Sequence, residues 1–173
     1  ISLGLVGSEM CIRDRATWLP GKDFSAWVPL CESFEQSQTL TKIDVSECYL
    51  CPEALPPLAK AIKAMAAIAS LTISGNFIFG SKDRGLYVGD TTQVHDVDKD
   101  QSGWNNLCEK LKVSNITSFT ASDIGMGPVA LRTLATSLPA AVEAVAIGGN
   151  PIGSEGGATL LETIKTSKLK TID

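Results

Sequence analysis

The sequence predicts an α/β solenoid, an arc of stacked strand–helix units with parallel strands on the concave face and helices on the convex face. Three observations predict it. An apolar frame recurs at intervals of about 27 residues, with one longer interval. Stretches with the periodicity of amphipathic helices lie between the frames. A longer period of about 76 residues relates these helical stretches to one another.

The first fifteen residues stand apart from this pattern. The string Leu-Val-Gly-Ser-Glu-Met-Cys-Ile-Arg-Asp at residues 5–14 matches the in-frame translation of a transposase-type sequencing-library adapter. The stretch also lacks the basic start and long apolar run of a signal peptide. We therefore interpret residues 1–15 as a non-native addition and expect an incomplete repeat domain over residues 16–173.

The apolar frame follows the pattern L-x-x-L-x-L-x-x-N/C-x-L. It occurs over Leu40–Leu50, Ile68–Ile78, Ile116–Met126 and Val142–Ile152, and a fifth copy begins at Leu169. Three of the four intervals between these starting positions are about 27 residues long, the length of a repeat that pairs one strand with one full helix. The second interval is longer by about 20 residues, which predicts an insertion at about residues 81–102.

Residues of a strand alternate between the two faces of the sheet, so each frame predicts a buried and an exposed set. The buried set is expected to be Ile43, Val45, Leu71, Ile73, Phe119, Ala121, Val145 and Ile147. The outward set on the concave face is expected to be Lys42, Asp44, Ser46, Ser70, Thr72, Ser74, Ser118, Thr120, Ser122, Ala144, Ala146 and Gly148.

The turn after each strand carries Cys48, Asn76, Ile124 or Asn150 at one shared position. A buried asparagine there can satisfy backbone groups that would otherwise be unpaired. We expect this role for Asn76 and Asn150, and we expect Cys48 to be a small buried residue. Because Ile124 has no polar group, the turn of the third repeat is predicted to lack a side-chain hydrogen bond.

The helical stretches repeat as well. Leu55, Leu58, Ala59 and Ile62 have the spacing of one buried helix face. The segment 52–55 recurs as 128–131, and its proline suits the first turn of a helix. In the same way, Trp27 recurs as Trp104 at nearly the same offset. This recurrence favours a packing role for both tryptophans in the helical layer.

Together these units resemble the ribonuclease-inhibitor class of leucine-rich repeats, and the resemblance covers residues 24–173. That class also supplies the sensing arms of NOD-like receptors and the body of the Ran GTPase-activating protein. The resemblance implies a concave strand face that binds another protein. It implies no cofactor and no catalytic residue that we could match in this chain.

Composition excludes several other functions. The net charge of −4 and the pI near 5.0 argue against nucleic acid as a partner. The sequence contains no run of about 18 apolar residues, which argues against a membrane span. The sequence has a single histidine, His95, which argues against most metal sites and against most histidine-based catalysis. Five cysteines, an odd number, favour reduced thiols and a cytoplasmic location.

Three short motifs invite a chemical interpretation. Cys48-x-x-Cys51 resembles half of a zinc or redox site but has no second pair. The acidic stretch 96–100 resembles the start of a calcium loop, but Gln101 and Leu107 break the pattern. We expect instead that Asp100 or Ser102 caps the following helix. The glycines of 148–157 lack the Lys-Ser/Thr of a phosphate loop, so turns are the favoured interpretation.

The leading functional hypothesis is a non-catalytic, cytoplasmic protein-binding scaffold. Its candidate contact residues are the charged and hydroxyl residues of the outward set on the first three strands, with Arg84 and Tyr87 of the insertion. The insertion is either a functional loop or a disordered one. The alternatives are a regulatory arm of a larger enzyme or NTPase, of the NOD-like-receptor or kinase type, and a Ran-type GTPase-activating protein.

Overall fold

A computed structural model describes residues 25–80 and 97–173 and shows one curved stack of strand–helix units. One sheet contains, in chain order, the parallel strands β1 Lys42–Asp44, β2 Ser70–Thr72, β3 Ser118–Thr120, β4 Ala144–Ala146 and β5 Thr171–Ile172. The helices are α1 Trp27–Gln36, α2 Leu55–Ala64, α3 Ser102–Leu111, α4 Pro128–Ser137 and α5 Gly153–Thr166, and a 3₁₀ turn, Pro52–Ala54, precedes α2. The predicted α/β repeat arc is confirmed. Within the described ranges, no helix has both the length and the apolar character to cross a membrane.

The strands pair without offset, so equivalent residues of each unit form rows across the sheet. Ile43, Leu71, Phe119, Val145 and Ile172 are successive partners in the central row. The first four are at most 4% exposed, and they face the helical layer. Every residue of the predicted inward set is buried, which confirms the strand alternation inferred from the sequence.

The helical layer covers this row from the convex side. Helix α2 packs between α1 and α3, and its Leu55, Leu58, Ala59 and Ile62 are completely buried, as predicted from their spacing. Prolines begin two of the helical segments. Pro52 is the first residue of the 3₁₀ turn and Pro128 is the first residue of α4, where a backbone N–H has no partner within the helix and its absence costs nothing.

The two tryptophans fix the spacing between successive helices. Trp27 is 4% exposed, and its Nε1 donates a hydrogen bond of 2.8 Å to the carbonyl of Ala54 at the start of α2. Trp104 is fully buried and donates in the same way to Ala130 in α4, at 3.0 Å. The predicted packing role is confirmed, and each indole N–H also satisfies a backbone carbonyl of the next unit.

The asparagine turns bond to the preceding unit as well as to their own. Oδ1 of the buried Asn76 accepts the N–H of Leu50 at 3.0 Å, and its Nδ2 donates to the carbonyls of Val45 and Ile73 at 2.9 and 2.8 Å. Asn150 repeats this arrangement one unit pair later. The predicted role of both asparagines is confirmed.

The turn of the third repeat does have a side-chain hydrogen bond, so the prediction made from Ile124 was wrong. Oδ1 of Asn150 accepts the N–H groups of Ile124 and Met126 at 3.1 and 3.0 Å. Its Nδ2 donates to Ala121 of the same turn at 2.7 Å. The asparagine bonds across the interface between units. The turn of a unit without an asparagine therefore bonds to the asparagine of the following unit.

Gly103 lies where α3 crosses the start of the preceding helical segment. A Cβ on this residue would lie 2.1 Å from the carbonyl oxygen of Pro52, a backbone atom that cannot turn away. The close approach of α3 to the 3₁₀ turn therefore requires glycine at this position.

Substituting Gly103→Ala is expected to destabilise the protein by about 1–3 kcal/mol, because the added methyl group forces the two backbones apart. The matched control is Gly157→Ala in α5, where a Cβ would meet nothing within 4 Å. There the higher helix propensity of alanine is expected to stabilise by up to about 1 kcal/mol. Urea unfolding of both variants measures the difference, and equal effects would contradict the predicted clash.

Substituting Asn76→Ala is expected to lower the free energy of unfolding by about 3 kcal/mol or more, because several buried backbone groups lose their partner at about 1–3 kcal/mol each. The control is Asn105→Ala on the exposed side of α3, expected to change it by about 0.5 kcal/mol or less. Thermal and urea unfolding give both values. A small effect at Asn76 would show that water replaces the amide.

Candidate protein-binding surface

The concave face of the sheet presents the predicted outward residues in three rows. The first row is Lys42, Ser70, Ser118, Ala144 and Thr171, and the second is Asp44, Thr72, Thr120 and Ala146. Backbone hydrogen bonds beyond the strand ends continue the ladder and align a third row of Ser46, Ser74, Ser122 and Gly148. Lys42 and Gly148 are exposed and the other predicted members are half-buried. The structure therefore gathers these residues on one surface, while their contact with a partner stays a prediction.

The character of this face changes along the arc. Lys42 and Asp44 give β1 an ion pair, with Nζ and Oδ2 3.9 Å apart. The next two strands carry only serine and threonine, and β4 carries Ala144, Ala146 and then Gly148. A partner that follows the arc would meet charge first, then hydroxyl groups that both donate and accept hydrogen bonds, and then a small apolar patch.

The side chains of Asp44 and Ser74 also stabilise the turns that follow the strands. Oδ1 of Asp44 accepts hydrogen bonds from the N–H and the hydroxyl of Ser46, at 3.2 and 2.7 Å. Oγ of Ser74 accepts the N–H of Ser122 from the next unit at 3.1 Å. These bonds hold the hydroxyl rows in place before any partner binds, which lowers the entropy that binding must remove.

An aromatic pair that was not predicted from the sequence lies beside this face. Tyr49 and Phe77 lie in the turns after β1 and β2, and their rings stack with centroids 5.7 Å apart and planes inclined by 24°. Both are half-buried. Tyrosine is common among residues that dominate binding energy. Residue spacing could have predicted this pair, because Tyr49 and Phe77 each lie six positions after the central residue of their strand, Ile43 or Leu71.

The insertion is described only at its carboxyl end. Arg84 and Tyr87, the two contact residues predicted there, lie outside the described residues, as does His95. Asp100 accepts the N–H and the hydroxyl of Ser102 at 2.9 and 2.6 Å, and these bonds lower the pKa of its carboxyl group. Asp100 thus bonds to the first residue of α3 from the position before the N-cap, Gln101, which itself makes no side-chain cap hydrogen bond.

Asp98 has a structural role that the calcium-loop interpretation did not foresee. Its carboxylate accepts the N–H groups of Gly127, Val129 and Ala130 at 2.8, 2.9 and 3.3 Å. These are the first donors of α4, which otherwise has no side-chain cap. The negative charge also lies at the positive end of the helix dipole. Asp98 therefore attaches the carboxyl end of the insertion to the next unit.

Cys31, Cys51 and Cys108 have the environment of core residues, whereas Cys48, which was expected to be buried, is half-buried and packs against the outside of the core. Burial raises the pKa of the Cys31 thiol to about 12, and burial with a hydrogen bond to Glu53 raises that of Cys51 to about 11. Burial also raises the pKa of Cys108. Sγ of Cys48 donates to the carbonyl of Ser46 at 3.3 Å. A protonated thiol such as that of Cys51 is a poor nucleophile and a poor metal ligand, and Cys48 bonds within its own turn, so Cys48-x-x-Cys51 acts as part of a turn.

The acidic stretch and the glycines of 148–157 also have structural positions. Across the two described ranges, no group of three or more His, Cys, Asp or Glu side chains could hold a metal ion. Gly149 lies in a turn with a φ of 69°, as predicted, whereas Gly153, with a φ of 60°, is the first residue of α5. Gly149 lies so close to Asp123 of the preceding unit that a Cβ there would be 2.1 Å from its Oδ1.

Substituting Asp98→Ala is expected to lower the free energy of unfolding by about 1–2 kcal/mol, the usual effect of removing a helix cap. Asp98→Asn keeps one acceptor oxygen and should lose less. The melting temperature of the natural protein should be the same with calcium and with a chelator, because the carboxylate is engaged by backbone N–H groups. A calcium-dependent rise would support the metal loop instead.

Comparisons with known proteins agree with the fold. By sequence, neither a protein-family model nor a curated protein matches the chain. By structure, it is similar to a solved structure described as leiomodin-1 actin-binding site 2, with a TM-score of 0.63, 9% identity, and coverage of 88% of this chain and 79% of that one. It is also similar to the tropomodulin C-terminal domain of Caenorhabditis elegans, with a TM-score of 0.52, 13% identity, and coverage of 84% and 80%. These neighbours are leucine-rich-repeat-like, so the chain has a leucine-rich-repeat-like fold.

Proposed function

We propose that this chain is a non-catalytic, protein-binding scaffold and that the concave face of its sheet holds the partner. The observation that carries the proposal is the set of aligned rows on this face, in which serine and threonine follow Lys42 and Asp44 and are fixed by hydrogen bonds within and between the turns. Such a surface supports broad backbone and hydroxyl contact over several strands. The stacked Tyr49 and Phe77 at its border supply the aromatic area that strong interfaces use.

Binding rather than catalysis is supported by the state of the reactive groups. The three buried cysteines have raised pKa values and lie in the core, away from the concave face. The carboxylate of Asp98 accepts the first N–H groups of α4, and that of Asp100 accepts two hydrogen bonds from Ser102. An enzyme places groups with adjusted pKa values together in a cleft, and in the described part of the chain these groups lie in separate structural positions.

The repeat class is proposed to be that of ribonuclease inhibitor. The support is the pairing of a three-residue strand with a helix of 10 to 14 residues in each unit of about 27 residues.

We also propose a cytoplasmic location. The support is that Cys31, Cys51 and Cys108 are unpaired thiols in the core, as is usual where thiols stay reduced.

Actin is the first partner to test, because the leiomodin-1 neighbour is described as an actin-binding site. Thr120→Arg places a long charged side chain in the middle of the concave face and is expected to weaken binding about tenfold or more, about 1.4 kcal/mol. The control, Thr136→Arg, makes the same change on the exposed side of α4 and should leave affinity within about twofold. Cosedimentation with actin filaments and fluorescence titration of monomeric actin measure the effect.

Two results would contradict the proposal in different ways. If the natural protein binds neither form of actin, actin is rejected as the partner. If it binds and the two arginine variants bind equally well, the concave face is rejected as the contact surface. Melting curves of both variants must match that of the natural protein, because a loss of folding would lower binding at any position.

A further inference from the structure

The loop that joins α3 to β3, in the middle of the array, carries the most exposed large hydrophobic side chain among the described residues. Val113 is 65% exposed, whereas Leu111 before it and Ile116 after it are fully buried. The N–H of Val113 donates to the carbonyl of Lys110 at 3.3 Å, and the next N–H donates to that of Leu111 at 2.9 Å. The fold therefore holds this valine outward in a hydrogen-bonded turn.

Lysines surround Val113 at the edge of the arc where the helices end and the strands begin. Lys112 directly precedes the valine, and Lys110 lies three residues before it. Lys63 lies in the last turn of α2, against which α3 packs. The side-chain amide of Asn115 donates a hydrogen bond of 3.0 Å to the loop after α2, so the two loops are joined. We call Lys63, Lys110, Lys112 and Val113 the basic edge patch.

The positive charge of the basic edge patch exceeds what the neighbouring carboxylate neutralises. Nζ of Lys110 lies 2.7 Å from Oε1 of Glu109. This hydrogen bond lowers the pKa of the glutamate, and the charge of Lys63 lowers it further. Neither Lys63 nor Lys112 forms an ion pair with a described carboxylate. Three lysines against one glutamate leave two positive charges, in a chain whose net charge is −4.

The equivalent part of α1 shows that the fold does not require this composition. Residues 77 positions apart correspond between α1 and α3, and the buried ones keep their character, as the two tryptophans do. Outside the core, Glu35 stands at the position of Lys112. Gln36 likewise stands at the position of Val113. The last turns of α1 and α4, both described in full, contain no basic residue, so a helix dipole does not require the lysines.

We propose that the basic edge patch binds an acidic segment of a partner protein, with an apolar side chain of that segment packed on Val113. Ammonium groups around an exposed apolar centre complement carboxylates around an apolar side chain. An anionic lipid surface fits less well, because segments that bind it carry larger clusters of basic residues and this chain is negative as a whole. The patch lies apart from the outward strand residues, so this contact does not rest on the proposed concave-face function.

The valine and the lysines of the patch would act together. Exposed ion pairs alone contribute little to binding, because water and salt screen them. An apolar side chain packed on Val113 excludes water beside the lysines, and charges interact more strongly where water is excluded. The apolar contact and the ion pairs are therefore expected to be coupled, as neighbouring contacts usually are.

Fluorescence anisotropy of the full 173-residue chain with a labelled peptide tests the proposal. The probe is Glu-Glu-Leu-Glu-Glu-Leu-Glu-Glu, and we expect saturable binding that weakens as the salt concentration rises. Lys112→Glu introduces the residue type found at the equivalent position of α1. It should weaken binding about tenfold or more, because like charges repel. Val113→Gln, chosen in the same way, should weaken binding about fivefold through loss of the apolar contact.

Matched controls make the same changes elsewhere on the surface. Val129→Gln replaces a valine that is 46% exposed in the first turn of α4, at the opposite edge of the arc. Lys42→Glu reverses the charge of an exposed lysine on the concave face. Both should leave peptide binding within about twofold, because screening limits the range of surface charges. All four altered side chains are exposed, so circular dichroism melts should match that of the natural protein.

A peptide with serine in place of leucine separates the apolar contact from the charge. It should bind the natural protein about fivefold more weakly and lose no further affinity in Val113→Gln, because both losses come from one contact. Absence of binding by the leucine peptide would overturn the proposal, as would equal losses in the patch variants and the controls. Binding to phosphatidylserine vesicles in place of the peptide would overturn it in favour of a membrane surface. Actin binding by the concave face can succeed or fail without altering these results.

Discussion

The side-chain amide of the buried Asn76, repeated by the half-buried Asn150, is the interaction on which the rest of the arc depends. A repeat in a stacked array contacts only its two neighbours, so hydrogen bonds between adjacent units must set their register. Each asparagine bonds to the strand end of its own unit and to the turn of the unit before it. The rows of the concave face follow from this, because aligned turns require aligned strands.

The longer period, which relates every second unit, has a physical basis in the same bonds. The unit that contains β1 and α2 is joined by one hydrogen bond to Trp27 on one side and by two to Asn76 on the other. The unit that contains β3 and α4 receives the equivalent bonds from Trp104 and Asn150. Two units are thus held from both sides, and their own turns need no asparagine. This accounts for the alternation of Cys48 or Ile124 with asparagine.

Much of the fold could be predicted from residue spacing, because strand and helix periodicities decide which side chains enter the core. The direction of the asparagine bonds could not, since it depends on how neighbouring turns stack, and this is why the expectation for Ile124 was wrong. The capping of α4 by Asp98 was also missed, because 29 residues separate the carboxylate from Gly127. For the candidate site, periodicity predicted which residues share the face. Their contact with a partner depends on chemistry that the partner supplies.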